Sequence, residues 1–220
     1  MSAAPVPLER AALLLLDLQN DFLDPNGAYG RAGQTSPALA ALPGKLAPLA
    51  KSARQTRIPV ISSHFTLVPG PDGEPIISPH LKELRPFLTR GDFAPGSWGH
   101  ALVEPLAPAG VQIEKVAYSA FYMTRLEWVL RKLDIDHVVV AGLVTNGGVA
   151  STVRDAHVRD IAVTLLEDGC AAMTADLHET AIAALRPVAR IATIADIIGA
   201  LDGRTGQKPV LKPTNGKTPR

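Results

Sequence analysis

The segment Ala11–Leu16 reads AALLLL and stops at Asp17. An apolar run without polar alternation marks a strand buried on both faces, a placement found almost only where helices cover both sides of a parallel sheet. That restricts the chain to a layered α/β architecture. Comparable short runs recur at 58–62, 111–113, 137–141, 161–166 and 190–194, and are read as five more strands. Between them, 37–56 places Leu39, Leu42, Leu46, Leu49 and Ala53 on one stripe, and 124–133 does the same with Leu126, Val129, Leu130 and Leu133. Pro43 and Pro48 are expected to kink or delay the first of these helices. The stretches 146–159 and 176–185 are also read as helical. Strands alternating with helices imply right-handed crossovers and a three-layer, six-stranded, mostly parallel Rossmann-like sheet.

Such a sheet needs apolar residues for two faces, and 46% of the 220 residues supply them within one domain, 1–202. The stretch 67–96, crowded with Pro and Gly, is expected to cross the pocket mouth as a lid. The polar, basic tail 203–220 is expected to be mobile, or held by a neighbouring subunit of a homo-oligomer. Lys plus Arg total 22 against 21 for Asp plus Glu, so charge gives no reason to expect nucleic acid or an anionic membrane. The partner is read as a small molecule. Cys170 is the single cysteine, which excludes an internal disulfide or a cysteine-ligated cluster and suits the cytosol. The first ten residues lack a basic n-region and the apolar run after them is too short to span a bilayer. A cytoplasmic protein with neither signal peptide nor membrane anchor is therefore expected.

Ligands of open α/β sheets bind outside the carboxyl ends of the strands. Asp17 ends a buried strand, where desolvation disfavours its charged form, so it is either a proton donor and acceptor or a loop-capping aspartate. Gln19 and Asp21 are expected to fix the loop that follows. Lys115 comes after 111–113; it is either a surface lysine or the counter-charge of Asp17, the two then lying within about 6 Å on strands that both neighbour the fourth. In AGLVTNGGVAST a strand runs into a helix that Thr145 or Asn146 can cap, and Gly147-Gly148 can bring backbone N–H groups to an anion. Phe22, Trp98, Phe121 and Tyr122 could wall the pocket or fill the core. Arg85 and Arg90 could meet a carboxylate or be solvated at the surface. Cys170 is read as a buried structural thiol and His64 as a pocket-wall or structural histidine; no metal or cofactor is expected.

Three segments, LLLLDLQNDF, VQIEKVAYSAFYMTRLEWVLRKLDIDHVVVAGLVTNGGVASTVRDA and LLEDGCAAM, together resemble the isochorismatase-like hydrolases. That superfamily also holds nicotinamidases and N-carbamoylsarcosine amidohydrolases. The resemblance covers most of the chain, from Ala11 to about Leu201. It implies a six-stranded parallel sheet with helices on both sides, and a site built from an Asp, a Lys and a third position at the start of the helix after the fourth strand. Asp17 and Lys115 match the first two. The third falls on Gly148, where the amidase members carry a nucleophilic cysteine. The resemblance also implies a cis Leu143–Val144 peptide, which would turn the amides of Val144 and Gly148 toward one point.

Glycine offers no attacking atom, so the acyl-enzyme route of the amidases has no nucleophile at this position. Isochorismatases proper resemble this chain in lacking the cysteine; in their reaction an acid protonates a vinyl ether and water attacks the oxocarbenium ion. Carried over, Asp17 would be the acid, Lys115 would hold a substrate carboxylate, and the Gly148 amide would orient the substrate. The resemblance thus implies a hydrolase acting on a small carboxylated substrate without a cysteine nucleophile. Two alternatives stand beside it: a noncatalytic small-molecule-binding member, and an amide or ureide hydrolase whose nucleophile has been replaced at Gly148.

Overall fold

The computed structural model describes residues 6–203, so all of the expected tail but Gly203 lies outside the described residues. β1 (Ala11–Leu16) leads through two short helices, α1 (Asn20–Leu23) and α2 (Ala28–Arg31), into the long α3 (Pro37–Gln55). Next come β2 (Val60–Phe65), α4 (Pro79–Leu84), β3 (Val111–Lys115), α5 (Leu126–Lys132), β4 (His137–Leu143) and α6 (Ala150–His157). β5 (Ala162–Ala171), α7 (Ala175–Leu185), β6 (Arg190–Ala192) and α8 (Ile194–Asp202) complete the described chain. All strand pairs are parallel, in the order β3-β2-β1-β4-β5-β6. The chain winds outward in both directions from β1 and β4, which puts the topological switch point at the carboxyl ends of these two strands.

Successive side chains of a strand face opposite ways, and β1 uses both faces. Ala11, Leu13 and Leu15 join a core with α3 and α8. Ala12, Leu14 and Leu16 join a second core with α5, α6 and α7. The unbroken apolar run follows directly from this double burial. Among the described residues no helix is long and apolar enough to cross a membrane.

Several boundaries differ from those read in the sequence. α3 runs without interruption through Pro43 and Pro48. Leu39, Leu42, Leu46 and Leu49 are almost wholly buried on its inner face, and at about 1.5–3 kcal/mol each they outweigh about 3 kcal/mol per interior proline. Pro48 is exposed, so the carbonyl it leaves unbonded can take water. β2 extends to Phe65 because the polar Ser62, Ser63 and His64 are satisfied inside the fold: the Ser62 hydroxyl bonds His64 Nε2 at 2.8 Å and Ser63 Oγ donates to Asp17. β5 continues to Ala171 past an irregularity, its pairing with β4 jumping from Val140↔Leu165 to Gly142↔Cys170. The polar Glu167 and Asp168 in that jump made the strand look finished.

Residues 67–96 carry α4 and are fastened down by a third cluster, in which Leu67, Leu88 and Phe93 pack with Tyr29 and with half-buried Phe22 and Phe65. Asp21 of α1 ties this stretch to the helices after β1: its carboxylate accepts from the N–H groups of Ala28 (3.0 Å) and Phe93 (2.6 Å).

Candidate active site

Asp17 leaves β1 in a left-handed backbone conformation, φ 58, which Asp and Asn tolerate better than most residues. Its N–H donates to the Ser63 carbonyl at 3.0 Å. Oδ1 accepts from Ser63 Oγ at 3.0 Å and Oδ2 lies 2.7 Å from Lys115 Nζ. Both members of this ion pair are buried. The pair forms although β3 is an edge strand, separated from β1 by β2, and not a neighbour of β4 as expected. The four-carbon stem of lysine spans the end of β2 and brings the ammonium over the Phe65 ring, 5.8 Å from its centroid.

Nζ also donates to the carbonyls of Ala117 (2.9 Å) and Tyr118 (3.2 Å). An ammonium has three hydrogens, and Asp17, Ala117 and Tyr118 take them all. Lys115 is therefore set to act on Asp17, and the carboxylate-holding role expected for it is not supported by this geometry. Burial pushes the Asp17 carboxyl above the ordinary carboxylate range, opposed by the lowering pull of Lys115 and the Ser63 hydroxyl. The result is a buried carboxyl able to hold a proton.

The turn after β4 brings Gly148 beside this carboxyl. The Leu143–Val144 peptide is cis. A Cβ added at Gly148 would lie 3.1 Å from Asp17 Oδ2 and 3.4 Å from the carbonyls of Leu143 and Tyr118. A side chain at position 148 would thus abut the Asp17 carboxyl. Gly147 differs from expectation: its N–H donates to the Val144 carbonyl at 3.0 Å, and the same carbonyl accepts from Val149 at 3.3 Å, so the Gly147 amide serves the turn and not a ligand. Gly142, one residue before the end of β4, has φ 137, and a Cβ there would sit 2.1 Å from the Leu16 carbonyl oxygen. Glycine at this position lets β4 close on β1 beneath the site.

The remaining expected residues fall into two groups. Gln19 is wholly buried; its amide accepts from Phe65 N–H at 2.7 Å and donates to the carbonyls of Phe65 and His100, both at 3.0 Å, so it clamps loops and has no N–H left for a substrate. Phe22 packs against Tyr29 and Phe93, with ring centroids 4.7 and 4.6 Å away. Phe121 is a core residue of the α5–α6 face, under the Arg159 guanidinium, and does not wall the site. Trp98 and Tyr122 leave 55% of their surfaces in solvent. His64 is held by Ser62 and by the His100 carbonyl at 2.9 Å, a structural arrangement in which burial lowers its pKa. Cys170 is buried, and burial pushes its thiol up to about 12.

Four residues that sequence reasoning did not assign complete the site. Ser63 holds Asp17; Phe65 lies under Lys115; Tyr118 places its ring beside the Gly147 turn, with Cε1 3.8 Å from the Cβ position there. Tyr29 is buried and close enough to Asp17 for that charge to help raise its pKa, although burial is the larger cause. Tyr118 had the one available signal, its place three residues after Lys115.

Residues 11–197 match the family model described as an isochorismatase domain. The chain belongs to the isochorismatase family. It is 32% identical over 178 residues to ureidoacrylate amidohydrolase RutB of Caulobacter segnis, covering 74% of each chain. It is 34% identical over 173 residues to the RutB of Yersinia enterocolitica, covering 74% of this chain and 75% of that one. In structure it resembles a cysteine hydrolase from Pseudomonas syringae pv. phaseolicola, with TM-score 0.79 at 26% identity, over 91% of this chain and 96% of the other. It shares its fold with N-carbamoylsarcosine amidase from Thermoplasma acidophilum, TM-score 0.66 at 24% identity, over 84% and 96% of the two chains. As a member of the isochorismatase-like hydrolase superfamily, it has the six-stranded parallel sheet and the Asp–Lys pair that the resemblance implied.

Proposed function

We propose that this isochorismatase-like hydrolase cleaves a small carboxylated substrate by water attack, without a cysteine nucleophile. The observation that carries the reading is that Gly148 has no side chain where a Cβ would come to 3.1 Å from the Asp17 carboxyl, the place from which a side chain would otherwise supply the attacking atom. The only thiol, Cys170, lies in the core and is pushed up to about 12. Protonated Asp17 gives its proton to the carbon of a vinyl ether, leaving an oxocarbenium ion; water adds to that ion and returns a proton to the carboxylate. The resulting hemiketal collapses to a carbonyl as its C–O bond to the leaving group breaks and its hydroxyl proton passes to the departing alcohol oxygen. Lys115 sets the acid by pairing with its charged form once the proton has left. The space beside Gly148, at the start of the α6 turn, suits the water or a polarised substrate oxygen.

A second reading is favoured by the relatives named ureidoacrylate amidohydrolase: the substrate is a ureide or amide. A hydrolase screen of vinyl ethers, amides and ureido acids separates the two, with Asp17→Asn as control. Absence of turnover in every class would leave a binding protein and sink both readings. Gly148→Cys adds a further distinction, because its Cβ meets Asp17 at 3.1 Å and needs only a small shift to fit. On the water mechanism this variant blocks the water position and lowers activity by about ten-fold or more; amidase activity appearing in its place would favour a hydrolase that has lost its nucleophile.

The thiol is a second point of test. With a pKa of about 12, Cys170 is thiolate in roughly one molecule in 10⁵ at neutral pH. Iodoacetamide is expected to leave the folded protein unmodified and fully active. Stoichiometric loss of activity on labelling Cys170, prevented by bound substrate, would defeat the water mechanism.

A further inference from the structure

With every hydrogen of Lys115 engaged inside the protein, an anionic substrate needs another cation. Arg85, at the end of α4, supplies one. Its Nε donates to the Tyr29 hydroxyl at 2.8 Å and its Nη2 to the Tyr118 hydroxyl at 3.1 Å, and the guanidinium carbon stands 6.0 Å from the Tyr118 ring centroid. Arg85 is half-buried, Tyr29 buried and Tyr118 exposed. The Tyr118 ring leads from this guanidinium to the Gly147 turn, and its carbonyl bonds Lys115, so the Arg85 fork lies one ring's length from the reacting position.

We propose that Arg85, with the hydroxyls of Tyr29 and Tyr118, is the seat of the substrate's carboxylate. The inference rests on the hydrolase reading of the same site and names its substrate class: short organic acids whose scissile bond lies a few atoms from the carboxylate. Each phenol oxygen accepts from Arg85, which leaves its own O–H free to donate outward to an anion. Nη1 has no acceptor among the described residues. Two hydroxyls held on the Nε and Nη2 groups, with the unengaged Nη1 beside them, make a donor set suited to the two oxygens of a carboxylate, and a neutral ester offers that set no charge. The stretch 67–96 then has a definite role: it carries the specificity residue to the mouth of a site whose acid and lysine stand on the sheet.

Calorimetric titration of the full-length protein with acrylate, benzoate and 3-ureidopropionate, and with the methyl ester of each, tests this directly. At least one acid is expected to bind about ten-fold or more tightly than its ester. Arg85→Gln should remove that preference by weakening acid binding about ten-fold or more, and Arg85→Lys should restore only part of it. Tyr118→Phe, which keeps an exposed ring and loses one hydroxyl, should reduce the preference by about three-fold or more, and it carries the test if Arg85→Gln fails to fold. No preference for any acid over its ester in the parent protein, or a preference that survives Arg85→Gln, would overturn the proposal. Binding preference does not require turnover. A protein that discriminates acids from esters yet hydrolyses nothing would refute the hydrolase reading alone, whereas turnover without discrimination would refute the carboxylate seat alone.

Discussion

Asp17→Asn is expected to lower kcat by about 10²–10⁴-fold on whichever substrate class is turned over, the range typical for removing a positioned general acid. Asparagine keeps the left-handed backbone and the size of the side chain, so the fold should survive; circular dichroism and substrate binding check that it does. The pH profile gives an independent reading. Because burial raises the Asp17 pKa, the protonated, donating form persists above the ordinary carboxylate range, and activity should fall as pH rises through that raised value. The sign for stability is the same: the folded state holds this proton more tightly than the unfolded chain. The contribution is fully present below the ordinary carboxylate pKa and is lost as pH rises through the folded value. A rate that climbs with pH across this window would show a carboxylate acting as base and reverse the roles proposed.

Gly142→Ala should be among the most damaging single-methyl changes at the described residues. The added Cβ meets the Leu16 oxygen at 2.1 Å, and the backbone holds φ 137, a region that L side chains rarely adopt. Clash and conformational strain together are expected to cost about 3–5 kcal/mol, a large part of the roughly 5–15 kcal/mol that stabilises a domain. The unfolding temperature should drop by about 6–20 °C. Gly44→Ala is the matched control: it lies within α3 with nothing within 4 Å of the new methyl, and should stabilise by about 0.5–1 kcal/mol. Equal urea midpoints for the two variants would show that the β1–β4 contact yields more easily than its geometry indicates.

The features legible in the sequence were those carried by a continuous local pattern. AALLLL announced a doubly buried strand, and the polar residue ending it is the carboxyl of the buried ion pair; its partner Lys115 was found the same way. Features that depend on contact between distant segments were not legible. Ser63 lies in the polar stretch SSHF, which looked like the end of a strand until its hydroxyl is seen to fill the seat of Asp17, 46 residues earlier. Arg85 and Tyr118 are 33 positions apart, and only the packing of 67–96 on Phe22, Tyr29 and Phe65 makes them meet. The role of Lys115 turned on counting its hydrogen bonds, two of which run to backbone carbonyls that no side-chain pattern reveals. Phe121 was ambiguous because an aromatic residue a few positions after the buried Lys115 is as well suited to a core as to a pocket.

The left-handed turn at Asp17 also governs which substitutions can be tried there. A β-branched residue is strained by φ 58 before its chemistry is put to any use. Glutamate carries the acid but, one methylene longer, overshoots the place between Ser63 and Lys115. Among side chains of its size asparagine fits the backbone as well as aspartate does, and the genetic code puts it a single nucleotide away. The easiest way for this lineage to lose its chemistry is therefore a change that leaves its shape intact, and a silent binding protein lies one mutational step from the enzyme.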